Sequence, residues 1–246
     1  MIRGVSSAMW VSPHGHDHVS TTLKSVVAVH IALGNRARQA GLAASISGQL
    51  FQLRKWLRPT GPSQLEGVRN GSVPLVLHVD QADTMSQALR LVAEVVPSAR
   101  LTIFGGAEAH LIVSEIAAAP NVEAVVLSPP RPVPEASFDQ DRAPDPLKGE
   151  QHAAVTLSQA GIKVGLAGSA GPATNLRWEA GLAMDAGVPR SVAMQMATRN
   201  LAEAMGLPEG IGTIRVGQRA HFALYLLRSF GSLEHRLAFY CHLVLF

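Results

Sequence analysis

"VPLVLHVDQADTMSQALRLVAEVVPSARLTIFGG", residues Val73 to Gly106, decides the architecture. It opens on a short apolar run, Val73–His78, with the length and character of a strand buried on both faces. From Asp83 to Val96 the period changes, placing Leu89, Val92, Ala93 and Val96 on one side of a helix. Asp83 stands where a side chain caps such a helix. Arg100–Phe104 is the next strand run. A strand, a helix and a second strand in this order imply two parallel strands joined by a right-handed crossover.

The same step repeats downstream. Glu108–Ala119 has a helical pattern, Val122–Ser128 a strand pattern, Gly149–Gly161 a helical pattern stopped by Gly161, Lys163–Gly168 a strand pattern, and Asn175–Gly187 another helical pattern ending in glycine. Strand starts lie roughly 22 to 40 residues apart, the ordinary spacing of βα units. Val73–His78, Arg100–Phe104, Val122–Leu127 and Lys163–Ala167 are therefore expected as neighbouring parallel strands in that order. No GxGxxG follows any of them, which argues against a dinucleotide site.

Towards the C-terminus, "PRSVAMQMATRNLAEAMGL" reads as helical, with Pro189 at a first helical position. "GIGTIRVGQRAHFALYLL" then turns β-like. Towards the N-terminus, "TTLKSVVAVHIALG" (Thr21–Gly34) and "SISGQLFQLRKWLRP" (Ser45–Pro59) are both expected to be helical. Between strands three and four of this series lies a proline-rich loop, "PPRPVPEASFDQDRAPDP".

Composition narrows the classes. The chain has 246 residues, 47% of them hydrophobic and 16% charged, which supports a sizeable core and argues against disorder. The net charge of +3 is spread thinly, 5% of residues are aromatic, and no Lys/Arg block is interleaved with aromatics, so no nucleic-acid partner is expected. No run approaches the roughly 20 apolar residues of a membrane span, so no membrane partner is expected. Cys241 is the single cysteine, which rules out an intrachain disulfide and suits a reducing, cytoplasmic setting. The abrupt apolar end "LAFYCHLVLF" is expected of a truncated or altered terminus.

Residues Gln159 to Tyr225 resemble the C-terminal part of the amidohydrolase superfamily, imidazolonepropionase-like members above all. Ala193, Thr198, Asn200 and Ala202 match that family's A-x-x-x-x-T-x-N-x-A helix, and Gly212, Thr213, Ile214, Gly217 and Ala220 match the glycine-punctuated segment after it. The stretches from Val73 and from Leu101 resemble the fifth and sixth strand regions, so the likeness runs over about three fifths of the chain, Val73 to Tyr225. It implies an α/β fold, a partial TIM-type (β/α) barrel with flanking helices over 1–211, and a short C-terminal β segment over 212–246. It also implies hydrolysis of non-peptide carbon–nitrogen bonds in a small molecule, with a divalent metal such as zinc at the C-terminal ends of the strands.

Carried over by position, His78 fits the metal-binding histidine of the fifth strand, and Glu108 an acidic position just beyond the sixth. The chain departs from the pattern elsewhere. Gly105 stands in place of the sixth-strand histidine, Gly168-Ser169 in place of the eighth-strand aspartate, and His221 where aspartate is usual. One imidazole does not make a catalytic zinc site, which takes about three protein ligands. A catalytically inactive homologue or fragment that keeps the fold is the alternative, and exposed strand edges of a partial barrel would favour self-association.

Asp80 and Asp83 could orient His78. "SPHGHDHV" (Ser12–Val19) places His14, His16 and His18 at alternate positions near Asp17. It reads as a solvated loop in which Asp17 or Ser20 caps the next segment, or as an adventitious metal-binding cluster. His14 lies 64 positions before His78, too few for the four βα units that separate first- from fifth-strand ligands. Any pocket is expected at the strand C-terminal ends, lined by His78, Gly105, Glu108, Ser128 and Ser169.

Overall fold

The structure is a computed structural model that describes residues 2–9, 22–39, 45–130, 151–168, 176–218, 223–224 and 239–240. Six strands form one sheet in sequence order: β1 (Ile2–Met9), β2 (Thr22–Ala32), β3 (Leu75–Val79), β4 (Leu101–Gly105), β5 (Val122–Leu127) and β6 (Val164–Leu166). β2 to β6 are parallel, and β1 runs antiparallel along the β2 edge. The four strands expected from the sequence are thus adjacent and parallel, and β2 adds a fifth.

Two features make this a sector of a barrel. Each parallel strand lies beside the next one in sequence, with no reversal of order. The helices α2 (Ile46–Leu57), α4 (Ala82–Val95), α5 (Val113–Ala118), α6 (Ala153–Gln159), α7 (Leu176–Asp185) and α8 (Arg190–Ala197) all pack on one face. A doubly wound sheet would reverse its order and carry helices on both faces. Ile31, Leu75, Leu77, Leu101, Ile103, Leu127 and Leu166 point into this helical layer and meet Leu53, Leu57, Met85, Val92, Ile116, Leu157 and Met196. Two shorter helices, α1 (Asn35–Gln39) and α3 (Glu66–Arg69), lie in the β2–β3 connection.

Among the described residues the opposite face is covered by one helix, α9 (Arg199–Ala204), and the turn after it. Ala202, Met205 and Leu207 pack there on Ala28, Val76 and Phe104. Asn200 of the resemblance motif donates to the Val164 carbonyl at 2.7 Å, and Thr102 donates to the Ala204 carbonyl at 3.3 Å. α8 and α9 form one helical run with a break at Thr198 (φ −137°).

Several local expectations change. Thr22–Ala32 is a strand, so there is no helix there for Asp17 or Ser20 to cap; five β-branched residues, Thr22, Val26, Val27, Val29 and Ile31, favour the pleated form. Ile46–Leu57 is helical as expected, capped by the Ser45 hydroxyl accepting from Gly48 N–H. Asp83 sits inside the first turn of α4 and not at its cap, which is Gln81. Pro189 is the cap residue of α8 and Arg190 its first helical residue. Glu108–Ala119 begins as a 3-10 turn, Ala109–Ile112, before α5. Residues 212–218 run as turns, and β7 (Ala223–Leu224) pairs antiparallel with β8 (Phe239–Tyr240). Ser12–Val19, residues 131–150, Ser169 and His221 lie outside the described residues.

Candidate functional site at the strand C-terminal ends

Parallel pairing brings the C-terminal ends of β3, β4, β5 and β6 to one rim. His78 opposes Phe104, Val79 opposes Gly105, and Gly105 opposes Leu127. Ser128 donates its N–H to the Gly105 carbonyl at 3.0 Å and its hydroxyl to the Gly168 carbonyl at 3.3 Å. His78, Gly105, Glu108 and Ser128, the described members of the expected pocket lining, are therefore at the same end of the sheet.

Their partners differ from expectation. Asp80 does not orient His78: it takes a two-pronged ion pair from the Arg36 guanidinium, whose Nη2 also donates to the Ser128 carbonyl at 2.7 Å. Arg36 comes from α1, just after β2, and the pair lies directly over Gly105. That glycine has φ +107°, and a Cβ there would collide with Asp80 Oδ1 and come within 3.0 Å of Arg36 Nη2. Glu108 is 1% exposed, and its carboxylate accepts from the Ala82 N–H at 2.8 Å at the start of α4. Its own N–H donates to the Asp80 carbonyl at 3.0 Å. Glu108 thus ties the β4–α5 turn to the β3–α4 turn, where a negative charge suits the helix dipole.

His78 is buried on the α9 side of the sheet. Its Nε2 lies 2.9 Å from Nδ1 of His30, and its Nδ1 is buried without a hydrogen-bond partner. His30 Nε2 lies 2.9 Å from the Ser6 hydroxyl. Burial, reinforced by the neighbouring His30 and by the positive charges of Arg3, Arg36 and the N-terminus, lowers the His78 pKa to about 3. Burial and Arg3 also lower that of His30. Both rings are neutral at pH 7.

His30, Ser6 and Arg36 escaped the reading of the sequence. A signal for His30 was present: "VAVHI" in β2 repeats the pattern of "LVLHV" in β3, an imidazole after an apolar triplet. Arg36 carried no such mark, because its meeting with Asp80 depends on the β2–β3 pairing.

The fold has a solved counterpart. An amidohydrolase from Thermotoga maritima MSB8 superposes with a TM-score of 0.65 over 81% of this chain and 57% of its own, at 19% identity. The fold is amidohydrolase-like. The chain spans 57% of the length of that protein. A second amidohydrolase (TM-score 0.43, 18% identity, 64% of this chain and 39% of that one) and a prolidase complexed with N-methylphosphonate-L-proline (0.41, 18%, 65% and 40%) match more loosely, and carry no argument here. No protein-family model and no curated protein matches the sequence.

The amidohydrolase-like rim does not fit the divalent metal that the resemblance implies. Among the described residues no group of three or more His, Cys, Asp or Glu side chains could hold one. His78 offers one free nitrogen, while Gly105 and Gly168 have no side chain to offer. The space above Gly105 already holds a guanidinium, a fixed positive charge that would repel a second cation.

Proposed function

We propose that this protein is an amidohydrolase-related protein of the class that hydrolyses carbon–nitrogen bonds other than peptide bonds, with a small-molecule pocket at the C-terminal ends of β3 to β6. The observation that supports it is the singly wound parallel sheet with His78 at the end of β3, since parallel barrels take their ligands at that rim. The imidazolonepropionase-like motif around Thr198 and Asn200 narrows the substrate class to cyclic amides. Among the described residues no helix is long and apolar enough to cross a membrane.

A specific observation favours a second reading for the chain as it stands, that of a catalytically inactive homologue. The Arg36–Asp80 pair fills the position over Gly105, and Glu108 is committed to the start of α4. Metal analysis after purification with Zn, Mn or Fe, followed by assay on cyclic amides and N-acyl amino acids, separates the two. One metal per chain, with turnover abolished by chelator and by His78→Ala, supports the hydrolase. A metal-free chain with no such turnover supports the inactive homologue.

A further inference from the structure

We propose that Ser6, His30 and His78 form a metal-independent acyl-transfer site in which Ser6 is the nucleophile, His30 its general base and His78 the residue that orients the base. The site goes beyond the hydrolase reading above and uses none of its metal chemistry.

The three side chains lie in a diagonal row on the α9 side of the sheet. Ser6 opposes Ala28 across β1 and β2, and His30 stands two residues further on. His30 in turn opposes Val76 across β2 and β3, and His78 stands two residues beyond that. Such diagonal neighbours are within reach of long side chains. The row gives 2.9 Å from Ser6 Oγ to His30 Nε2 and 2.9 Å from His30 Nδ1 to His78 Nε2. These are the two contacts that define an activated nucleophile: hydroxyl to base, and base to a third group that fixes its tautomer. Phe104 closes the far end, its ring 4.7 Å from that of His78.

A purely structural role accounts poorly for this row. Val76 and Phe104 pack on the same face, and apolar residues at 30 and 78 would fill it without desolvating imidazoles. One buried nitrogen, His78 Nδ1, has no partner at all. Ser6 lies on the edge strand and is only half-buried, so an acyl compound can reach it from the open side of β1.

The proton balance closes on these groups with water as co-substrate. In the reactive arrangement His30 holds its proton on Nδ1, shared in a hydrogen bond to His78 Nε2, and Ser6 turns its hydroxyl from the Ala28 carbonyl, 3.4 Å away, to donate to His30 Nε2. Ser6 Oγ adds to the carbonyl carbon of a carboxylic ester while its proton passes to His30 Nε2. The leaving alkoxide departs with that proton, and an acyl-Ser6 ester remains. Water then adds to the acyl carbon and gives its proton to the same nitrogen, which returns it to Ser6 Oγ as the carboxylic acid leaves. No carboxylate backs the base, and Arg3 disfavours the transient imidazolium, so the turnover expected is slow and confined to activated aryl esters.

The test treats the intact chain with a fluorophosphonate probe in the presence of EDTA and locates the label by mass spectrometry. Labelling of Ser6 is expected, reduced at least tenfold in Ser6→Ala and in His30→Gln and unchanged in Ser25→Ala. His78→Phe should lower it about threefold, with hydrolysis of p-nitrophenyl acetate falling in parallel. No label, label on another serine, or label persisting in Ser6→Ala overturns the proposal. Should Ser6→Ala misfold, Ser6→Cys in the intact chain replaces it. Its thiol should react with iodoacetamide at least tenfold faster than Cys241, an advantage lost in the double variant with His30→Gln, and equal rates overturn the proposal. Because chelator is present throughout, failure here leaves the metal-dependent reading untouched, and the reverse also holds.

Discussion

Leu77 and His78 are neighbours in β3, face opposite sides of the sheet, and have surroundings with little in common. Leu77 points into a continuous apolar layer to which seven described helices contribute, α2 to α8. His78 points to a side with one six-residue helix, a thin apolar cluster, and a polar row running through Ser6 and His30. In a closed barrel these would be the outer and inner surfaces. The outer side has the attributes of a folding core, a deep and contiguous cluster of buried apolar side chains. The inner side buries two neutral imidazoles, one of them with a ring nitrogen, His78 Nδ1, that meets no partner among the described residues.

The most direct way to break this contrast is to truncate one long apolar side chain on each side. Leu77→Ala should cost about 4 kcal/mol, because its neighbours come from packed helices that cannot collapse into the cavity. Met205→Ala, beneath the thin cover after α9, should cost about 1 kcal/mol, because a flexible thioether at a loosely covered edge leaves a space that closes. Urea unfolding measures both. Equal losses would mean that the α9 side is as much a core as the helical side.

The same contrast explains what could be read in advance. β3 to β6 announce themselves as short, mostly apolar runs, because both of their faces are covered; their order and direction follow from the helices between them. β2 was read as a helix because Val26, Val27, Ala28, Val29, Ile31 and Ala32 satisfy a helical spacing as well as a buried strand, and its β-branched content was the better guide. His78 stood out at its strand end. Its partners did not, because the rim is assembled by pairing between segments far apart in sequence: Arg36 with Asp80, Ser6 with His30. Glu108 was singled out for its acidity, yet only the fold shows that its carboxylate meets the α4 start.

Gly105→Ala probes the rim where the two sides meet. The substitution forces a side chain into a left-handed backbone and against the Arg36–Asp80 pair. The expected cost is about 3 kcal/mol, from strain and overpacking together. Gly161→Ala, also at positive φ (+77°) but with open space around its Cβ position, isolates the backbone part and should cost about 1 kcal/mol. Similar losses in the two variants would show that the ion pair yields freely, and would weaken the case against a metal at this rim.

Acid should act on the thin side first. Folding holds His78 near pKa 3, below the ordinary value of about 6.5, so between those limits the unfolded chain binds a proton that the folded chain does not. Stability from this group is complete above about pH 6.5 and falls as the pH drops towards 3. The loss between pH 7 and pH 5 should be about 2 kcal/mol, read from urea midpoints. His78→Gln should remove most of that slope. A slope unchanged in His78→Gln would place the acid-sensitive group elsewhere.

Glu108→Gln has the smallest expected effect and sharpens the division of labour at the rim. The carboxylate accepts the Ala82 N–H at the start of α4, while the Glu108 backbone N–H holds the Asp80 carbonyl. Glutamine keeps an acceptor for the first bond and leaves the second untouched. It removes the charge that the helix dipole favours and adds an amide N–H₂ to a position that is 1% exposed. The net loss should be about 1 kcal/mol, with faster hydrogen exchange at the Ala82 amide and little change in the amides of β4. Glu108→Ala, which also deletes the acceptor, should cost about 2 kcal/mol. If both variants unfold at the wild-type urea concentration, the carboxylate is not holding α4 in place. It would then be free for catalysis.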